Sequence, residues 1–153
     1  MEKTNVSRLL DINNIPYVMY EYNASITDGM EVAKLVKKPP EMVFKTLVTV
    51  VGVKDYRVFV VPVNSTLNLK KAAKSASVKS VEMLKQKELL PLTGYVHGGC
   101  SPIGMKKSFT TYIDETAVLF ETICVSAGKT GKQIEISPKL LSEFVGAEFK
   151  DLT

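Results

Sequence analysis

The chain has 153 residues, of which 45% are hydrophobic and 24% charged, and its formal net charge is +4 at pH 7. This length and composition predict a single soluble domain over residues 1–153 and exclude a scaffold that depends on metals or disulfides to fold. The basic excess is nearly all lysine, which is compatible with transient contact to RNA and equally with a simple role in solubility.

The N-terminal part begins with short amphipathic patterns. Helical spacing of apolar residues predicts a first helix over 4–13, and a β-rich run at 15–20 predicts a strand. Thr27 or Asp28 can cap a second helix. The predicted inner side of that helix consists of Met30, Ala33 and Leu35.

Two near-continuous apolar runs, at 43–51 and 56–63, are rich in β-branched residues. Runs of this kind are typical of strands that are covered on both faces. Gly52 and Lys54-Asp55 provide a turn between them, so the two runs are predicted to form a hairpin.

The C-terminal half mixes helices and strands without strict alternation. It predicts helices over 68–76 and 79–88, strands near 94–96, 109–113, 120–125 and 132–136, and a last helix from Ser137-Pro138. No repeat or linker interrupts the pattern. The fold class that fits best is α+β, with a mixed, curled, barrel-like β-sheet flanked by helices.

The two cysteines, Cys100 and Cys124, lie far apart and form no CxxC pair. Their spacing argues against a disulfide framework or a zinc site and is typical of a reducing compartment. The chain begins without a signal peptide, and no apolar run is long enough to cross a bilayer. We therefore predict a cytoplasmic protein without a membrane or DNA partner.

Lys45 is unusual because it lies inside a strand that is predicted to be buried. An isolated buried ammonium is very costly, so the side chain must reach solvent, find a partner or line a cavity. One interpretation is a lysine at a strand end that extends into water. The other is a cation at the mouth of a pocket that binds negative charge.

The segment 93–107, which we call the glycine segment, contains four glycines and a proline. This composition excludes a regular helix. The segment is either a long connecting loop or a binding loop whose backbone comes close to a ligand. The similar stretch 126–131 favours a binding loop. The lysine-rich segment 70–87 is either a solvated helical surface or a site of RNA backbone contact.

Several familiar catalytic or cofactor patterns are absent from the sequence. His97 and Cys100 in the glycine segment could form a catalytic pair, but the interpretation that we favour is a loop histidine and a small buried thiol. Gly128-Lys129-Thr130 imitates the end of a phosphate-binding loop, yet Ile123 stands where the first glycine belongs. His97 has no second histidine with which to share a metal. We predict no cofactor and no metal.

Ordered motifs along nearly the whole chain resemble those of the YbaK/EbsC family. They are FKTLV at 44–48, VPV at 61–63, LKKAA at 69–73, TGYV at 93–96, GGCSPIG at 98–104, KK at 106–107, ID at 113–114, VSAGK at 125–129 and IEI at 134–136. Any one of these motifs is weak by itself. Their order and spacing make the resemblance specific.

The resemblance implies the fold of the editing domain inserted in bacterial prolyl-tRNA synthetases. It also implies an aminoacyl-tRNA deacylase that removes cysteine from mischarged Cys-tRNA(Pro), with Cys-tRNA(Cys) as a further substrate to consider. Cysteine and proline are so similar in size that one binding pocket cannot separate them strongly, so a second sieve is needed. In the mechanism proposed for the family, the thiol of the substrate attacks its own ester.

The resemblance also implies roles for particular residues. Lys45 is similar to the family's essential lysine, and Thr46 beside it is expected to shape the pocket. The other residues expected to bind substrate are Tyr20 at the rim, Gly98, Gly99 and Pro102 of the GxxxP loop, and Ser126. Three positions depart from the commonest family pattern, namely Cys100, Thr130 and Gln133.

The partners implied by the resemblance are aminoacyl-tRNA and prolyl-tRNA synthetase in a transient complex. Three alternatives remain open at this point. The protein could deacylate Ala-tRNA(Pro) or another small mischarged species. It could bind tRNA or a synthetase without catalysis, or it could bind a small phosphate compound through its glycine loops.

Overall fold

The computed structural model describes residues 2–153 as a layered α+β fold. The helices are α1 (Asn5–Ile12), α2 (Gly29–Leu35), α3 (Leu69–Ser75), α4 (Gln86–Thr93) and α5 (Pro138–Val145). The strands are β1 (Tyr17–Glu21), β2 (Phe44–Val51), β3 (Asp55–Pro62), β4 (Glu82–Met83), β5 (Thr110–Asp114), β6 (Ile123–Ser126), β7 (Lys132–Ile136) and β8 (Glu148–Lys150). Short 3-10 helices at Pro40–Met42 and Glu115–Leu119 complete the chain.

The strands form two sheets. The smaller sheet is antiparallel, in the order β1-β7-β6. The larger sheet is mixed, in the order β4-β2-β3-β5-β8, and its β2–β3 pair is the predicted hairpin. One parallel bridge between Val43 and Cys124 connects the two sheets. The mixed α+β class is confirmed, while the barrel-like curl stays a prediction.

Alternating side chains of the strands divide the core into layers. The largest cluster fills the space between the sheets and includes Val58 and Val60 of β3 with Ile134 of β7. Phe59, between those two valines, points the other way and packs with α3. Helix α2 covers the outer face of the smaller sheet, where Val32 and Ala33 meet Cys124.

Local sequence explains where the helices begin. Thr4 caps α1, Asn68 caps α3 and Ser137 caps α5, each through a side-chain oxygen that accepts a backbone N–H of the first turn. Asp28 caps α2 in the same way, because its carboxylate accepts the N–H of Glu31 at 3.2 Å. This cap fixes the position of the Asp28 side chain at the edge of the site described below.

Some predicted elements are wrong. Residues 79–88 contain β4 and only the beginning of α4, because β4 pairs with the edge of β2. Residues 94–96 form no strand, and strand β8 was not predicted. The predicted inner side of α2 is confirmed for Ala33 and wrong for Met30 and Leu35. Its buried residues are Val32 and Ala33, with Val36 just beyond the helix, whereas Met30 is 39% and Leu35 48% exposed.

Candidate active site

A cavity of about 280 Å³ opens where the two sheets meet. Its walls come from β2, β6 and β7, from the start of α2, from α4 and from the glycine segment. Its polar and glycine lining consists of Tyr22, Thr27, Asp28, Gly29, Lys45, Thr46, His97, Gly98, Ser126 and Gln133. The cavity therefore combines polar groups from segments that are distant in sequence.

Strand register sets three of these side chains in a row. The Val43–Cys124 bridge is parallel, so Lys45, two residues further along β2, lies next to Ser126 on the same side. Ser126 is in turn paired with Gln133 of β7. Ser126 therefore stands between Lys45 and Gln133.

Lys45 is a half-buried cation in this cavity. Burial lowers the pKa of its ammonium group, and the negative charge of Asp28 partly offsets that effect. Within residues 2–153, no carboxylate comes close enough to Lys45 to form a salt bridge, whereas seven other lysines have one. The charge of Lys45 is thus free to interact with an anionic or developing negative group.

The glycine segment approaches the cavity closely because two of its residues lack side chains. Gly98 has φ +85°, and a Cβ there would lie 2.6 Å from Cγ2 of Thr27. Gly99 faces the loop at 126–131, and a Cβ on Gly99 would lie 2.9 Å from the backbone nitrogen of Thr130. Glycine is therefore required at both positions. Position 98 needs it for the close contact with Thr27, and position 99 needs it for the contact with the loop at 126–131.

Hydrogen bonds within the glycine segment also fix its conformation. The buried Tyr95 hydroxyl donates to the carbonyl of Ile103. The N–H of Lys106 donates to the carbonyl of Thr93 at 3.0 Å and closes the segment. These bonds hold the backbone that borders the cavity in one conformation.

Two buried side-chain oxygens, Oγ1 of Thr46 and Oε1 of Gln133, have no hydrogen-bond partner within residues 2–153. Both residues line the cavity. Native proteins rarely leave buried polar atoms unpaired, so unpaired atoms at a cavity wall indicate a place for a ligand or a water molecule. Ser126 differs, since its hydroxyl accepts the N–H of Gly128 at 3.1 Å.

The structure brings together Lys45, Thr46, Gly98 and Ser126 of the predicted site. Gly99 lies just behind the lining, against Thr130. Tyr20 and Pro102 do not line the cavity. Their proposed contact with substrate is not supported by their placement.

Tyr20 and Pro102 are held elsewhere by tertiary contacts. The Tyr20 hydroxyl donates to Oε1 of Glu135 at 2.5 Å, and Tyr22, two residues further on, lines the cavity instead. Pro102 lines a second cavity of about 190 Å³, together with Phe109 and Phe144.

Asp28 and Tyr22 are lining residues that the sequence did not single out as site residues, and Gln133 was noted only as a departure from the family pattern. The sequence contained one indication of the position of Asp28, because a residue that caps α2 has its side chain directed at the first turn of the helix. It contained none for Tyr22 and Gln133, since only the pairing of β1, β6 and β7 brings them to the cavity.

Cys100 and His97 both line the cavity, but the thiol has the wrong chemistry for a nucleophile. Burial raises the pKa of Cys100 to about 12, so it remains protonated at neutral pH. Catalytic cysteines have lowered pKa values. The geometry therefore favours the interpretation of a small buried thiol beside an exposed loop histidine.

Next to the cavity, Glu135 is the centre of a separate polar cluster, which we call the Glu135 cluster and which consists of Glu135, Tyr20, Lys38 and Thr122. The Glu135 carboxylate accepts hydrogen bonds from all three of the others. Burial raises the pKa of Glu135, but these bonds and the positive charge of Lys38 outweigh it, and the pKa is lowered.

No group of three or more His, Cys, Asp or Glu side chains in residues 2–153 could hold a metal ion. The helices of the same range include none that is both long and apolar enough to span a membrane.

Comparison with known proteins gives one consistent family. A sequence model of the family described as an aminoacyl-tRNA editing domain matches residues 24–144. A protein of Enterococcus faecalis, named "Putative Cys-tRNA(Pro)/Cys-tRNA(Cys) deacylase EbsC", is 42% identical over 154 residues. That match covers 99% of this chain and 94% of the relative.

Solved structures agree with this result. A "putative trans-editing enzyme for prolyl tRNA synthetase" has a TM-score of 0.85 at 25% sequence identity, with 99% of each chain covered. A hypothetical protein has a TM-score of 0.89 at 21% identity, over 97% of this chain and 99% of the other, which concerns the fold alone. The family resemblance seen in the sequence motifs is confirmed.

Proposed function

Because this chain belongs to the aminoacyl-tRNA editing domain family, we propose that it is a deacylase that removes cysteine from mischarged Cys-tRNA(Pro). The observation that carries the proposal is the position of Lys45. Its unpaired, half-buried ammonium shares one cavity with Gly98 and Ser126, as a site for an ester and its developing charge requires.

Lys45 acts as an electrostatic group in this proposal. A protonated ammonium in a partly desolvated cavity stabilises negative charge more strongly than it would in water. It therefore orients the 3′ end of the tRNA or stabilises the oxyanion that forms at the ester carbonyl. It is not required to remove a proton.

Backbone N–H groups of the glycine segment are the second source of stabilisation. The N–H of Gly99 is already bonded to the carbonyl of Val96 at 2.9 Å. The cavity-lining residues on either side of it, Gly98 and Cys100, therefore carry the candidate oxyanion donors. One such donor is worth roughly 3 kcal/mol of transition-state stabilisation.

The nucleophile in this proposal is the thiol of the substrate. Its sulfur attacks the ester carbonyl, a carbon–sulfur bond forms, and the bond from carbon to the ribose oxygen breaks. The thiol proton ends on that ribose oxygen, and the cyclic thiolactone that leaves is hydrolysed later by water. The attack is intramolecular, because the thiol and the ester belong to one molecule, and holding the thiol against the carbonyl lowers its barrier by roughly several kcal/mol.

A panel of proline tRNAs charged with cysteine, alanine, serine or proline tests the proposal directly. We expect rapid release of cysteine, measured as loss of acid-precipitable label, and little release of serine, because serine lacks the sulfur. Equal rates for cysteine and serine would exclude thiol participation in favour of attack by water. Preferred release of alanine would identify the other deacylase activity, and binding without release of any amino acid would contradict catalysis.

We further propose that residues 1–153 act as one editing domain with a transient prolyl-tRNA synthetase partner that supplies tRNA selection. Contacts between distant parts of the chain support the single domain, since β8 pairs with β5 and α1 packs into the main core. A cytoplasmic location follows from the proposed substrate. Adding prolyl-tRNA synthetase to the assay should raise the selectivity for proline tRNA over cysteine tRNA.

A further inference from the structure

Gln133 is the most unusual polar residue of the cavity. It is only 6% exposed, and its Oε1 is one of the two buried side-chain polar atoms without a partner in residues 2–153. The other is Oγ1 of Thr46, in the same cavity. Leaving a buried acceptor without a donor costs about 1–3 kcal/mol of folding free energy. An acceptor that is always unpaired is therefore unfavourable in a purely structural residue.

The two ends of the Gln133 amide have different surroundings. Its Nε2 donates to the hydroxyl of Tyr22 at 3.4 Å, which assigns the nitrogen end to the wall. The oxygen end is then the free acceptor. Oε1 is closed off from solvent in this conformation. A rotation about the broad terminal torsion of glutamine would bring this oxygen to the cavity and would release the long Nε2 bond to Tyr22.

A ligand group that satisfies this oxygen must be a hydrogen-bond donor. The position of Gln133 in the row Lys45–Ser126–Gln133 adds a second condition on the charge of the ligand group, because Ser126 separates Gln133 from the Lys45 ammonium. A cationic donor is repelled by Lys45 and is most stable at the far end of the row. Gln133 offers it a neutral acceptor there.

We propose that the Gln133 side-chain oxygen accepts a hydrogen bond from the free α-amino group of the aminoacyl ester. This role rests on the proposed deacylase function and adds a determinant of specificity to it. The amino group lies one bond from the carbon that carries the ester carbonyl, so a carbonyl held near Lys45 and Gly98 places it within the same cavity. An acyl group on that nitrogen removes its charge and adds bulk beside Tyr22. The cavity thereby selects free aminoacyl-tRNA over N-acylated forms.

The test combines a change in the enzyme with a change in the substrate. Cys-tRNA(Pro) and N-acetyl-Cys-tRNA(Pro) are given to the wild type and to Gln133→Met, which keeps the volume and removes the amide. The matched control is Gln86→Met, the same change at an exposed position outside the cavity lining. Values of kcat/KM are measured for each pair.

We expect the wild type to prefer the free amine. Gln133→Met should lower kcat/KM for Cys-tRNA(Pro) by about 10- to 100-fold, the range for a hydrogen bond to a charged group. It should change kcat/KM for the acetylated substrate by less than threefold, so the preference largely disappears. Gln86→Met should retain the preference. An equal loss on both substrates, or no loss on either, would overturn the assignment.

A binding measurement separates this inference from the proposed function. Cysteine joined through a stable amide to 3′-amino-3′-deoxyadenosine, with a free or an acetylated α-amine, is titrated into each variant by calorimetry. Tighter binding of the free amine by the wild type, lost in Gln133→Met, supports the inference even if no tRNA is deacylated. Equal binding of both compounds by the wild type contradicts the inference even if Cys-tRNA(Pro) is deacylated.

Discussion

The cavity and the Glu135 cluster are neighbouring regions on one face of the smaller sheet, yet they treat polar groups in opposite ways. Glu135 and Gln133 are two residues apart on β7 and therefore project from the same face. The Glu135 carboxylate is 13% exposed and accepts hydrogen bonds from Tyr20, Lys38 and Thr122. The Gln133 oxygen has no partner in the described residues.

This difference distinguishes the Glu135 cluster, which has a structural role, from the cavity, which is the candidate active site. In the Glu135 cluster every donor is directed at one acceptor, and the cluster joins the segment after α2 to the sheet. In the cavity, the Lys45 ammonium has no salt-bridge partner and the Gln133 oxygen has no hydrogen-bond partner among residues 2–153. A polar group that is satisfied internally contributes to stability, whereas one that is held open costs stability and is retained for a ligand.

The largest effect is expected for the open cation. Lys45→Ala should lower kcat/KM for Cys-tRNA(Pro) by about 10²–10³-fold, the range for loss of a preorganised electrostatic group. The thermal midpoint should stay the same or rise, because a desolvated charge is removed. Deacylation and circular dichroism melting provide the two measurements. Lys54→Ala, in the exposed β2–β3 turn, is the control, and near-normal turnover by folded Lys45→Ala would contradict the site.

A matched pair of substitutions tests the comparison itself. Glu135→Met should lower the free energy of unfolding by about 2 kcal/mol or more, since it leaves the Tyr20 hydroxyl and its other donors without an acceptor. Gln133→Met should change it by less than about 0.5 kcal/mol, because it removes one unpaired oxygen and only one long hydrogen bond, from Nε2 to Tyr22 at 3.4 Å. Urea denaturation measures both. A loss of similar size in the two variants would remove the distinction between the two regions.

The same comparison predicts acid sensitivity of the Glu135 cluster. Despite burial, the folded-state pKa of Glu135 is lowered below the usual glutamate value of 4.5 by its hydrogen bonds and by the positive charge of Lys38. Its contribution to stability is therefore present above pH 4.5 and is lost as the pH falls through the folded-state value. Urea denaturation between pH 6 and pH 3 should show a smaller pH dependence for Glu135→Met than for the wild type. Parallel curves would contradict the assignment.

A smaller effect is expected for the loop that borders the cavity. Gly98→Ala introduces a Cβ 2.6 Å from Thr27 at φ +85°, so the loop must shift, and kcat/KM should fall by about tenfold or more. Gly52→Ala is the control, because it carries a similar strain at φ +63° with no atom within 4 Å. It should lower stability slightly and leave kcat/KM unchanged. Equal kinetics for the two variants would show that the Thr27 contact is unimportant.

The smallest effect concerns pH. Burial lowers the pKa of Lys45, so activity that depends on its protonated form should be lost, as pH rises, below the usual lysine value of 10.5. Asp28→Asn should move this alkaline limb to still lower pH, because the stabilising negative charge is gone while the helix cap is kept. Profiles of kcat/KM, corrected for spontaneous ester hydrolysis, measure the limb. Glu31→Gln should leave it in place, and an upward shift in Asp28→Asn would contradict the assignment.

The sequence alone was sufficient for the α+β class and for the β2–β3 hairpin, and it singled out Lys45 as an unusual residue with two open interpretations. These features depend on local signals. A β-branched apolar run predicts a buried strand, and a lysine inside it is conspicuous because a buried ammonium is costly. The glycine segment was also identifiable, since its composition excludes regular structure.

What only the tertiary structure decided is which side chains share the cavity. Tyr20 and Tyr22 have the same residue type and are two residues apart, yet the Tyr20 hydroxyl bonds Glu135 whereas Tyr22, just beyond the end of β1, lines the cavity. The place of Gln133 in the cavity likewise depends on cross-strand neighbours that are distant in sequence. Register is fixed by the packing of whole sheets rather than by local propensity, so no local pattern could have revealed these contacts.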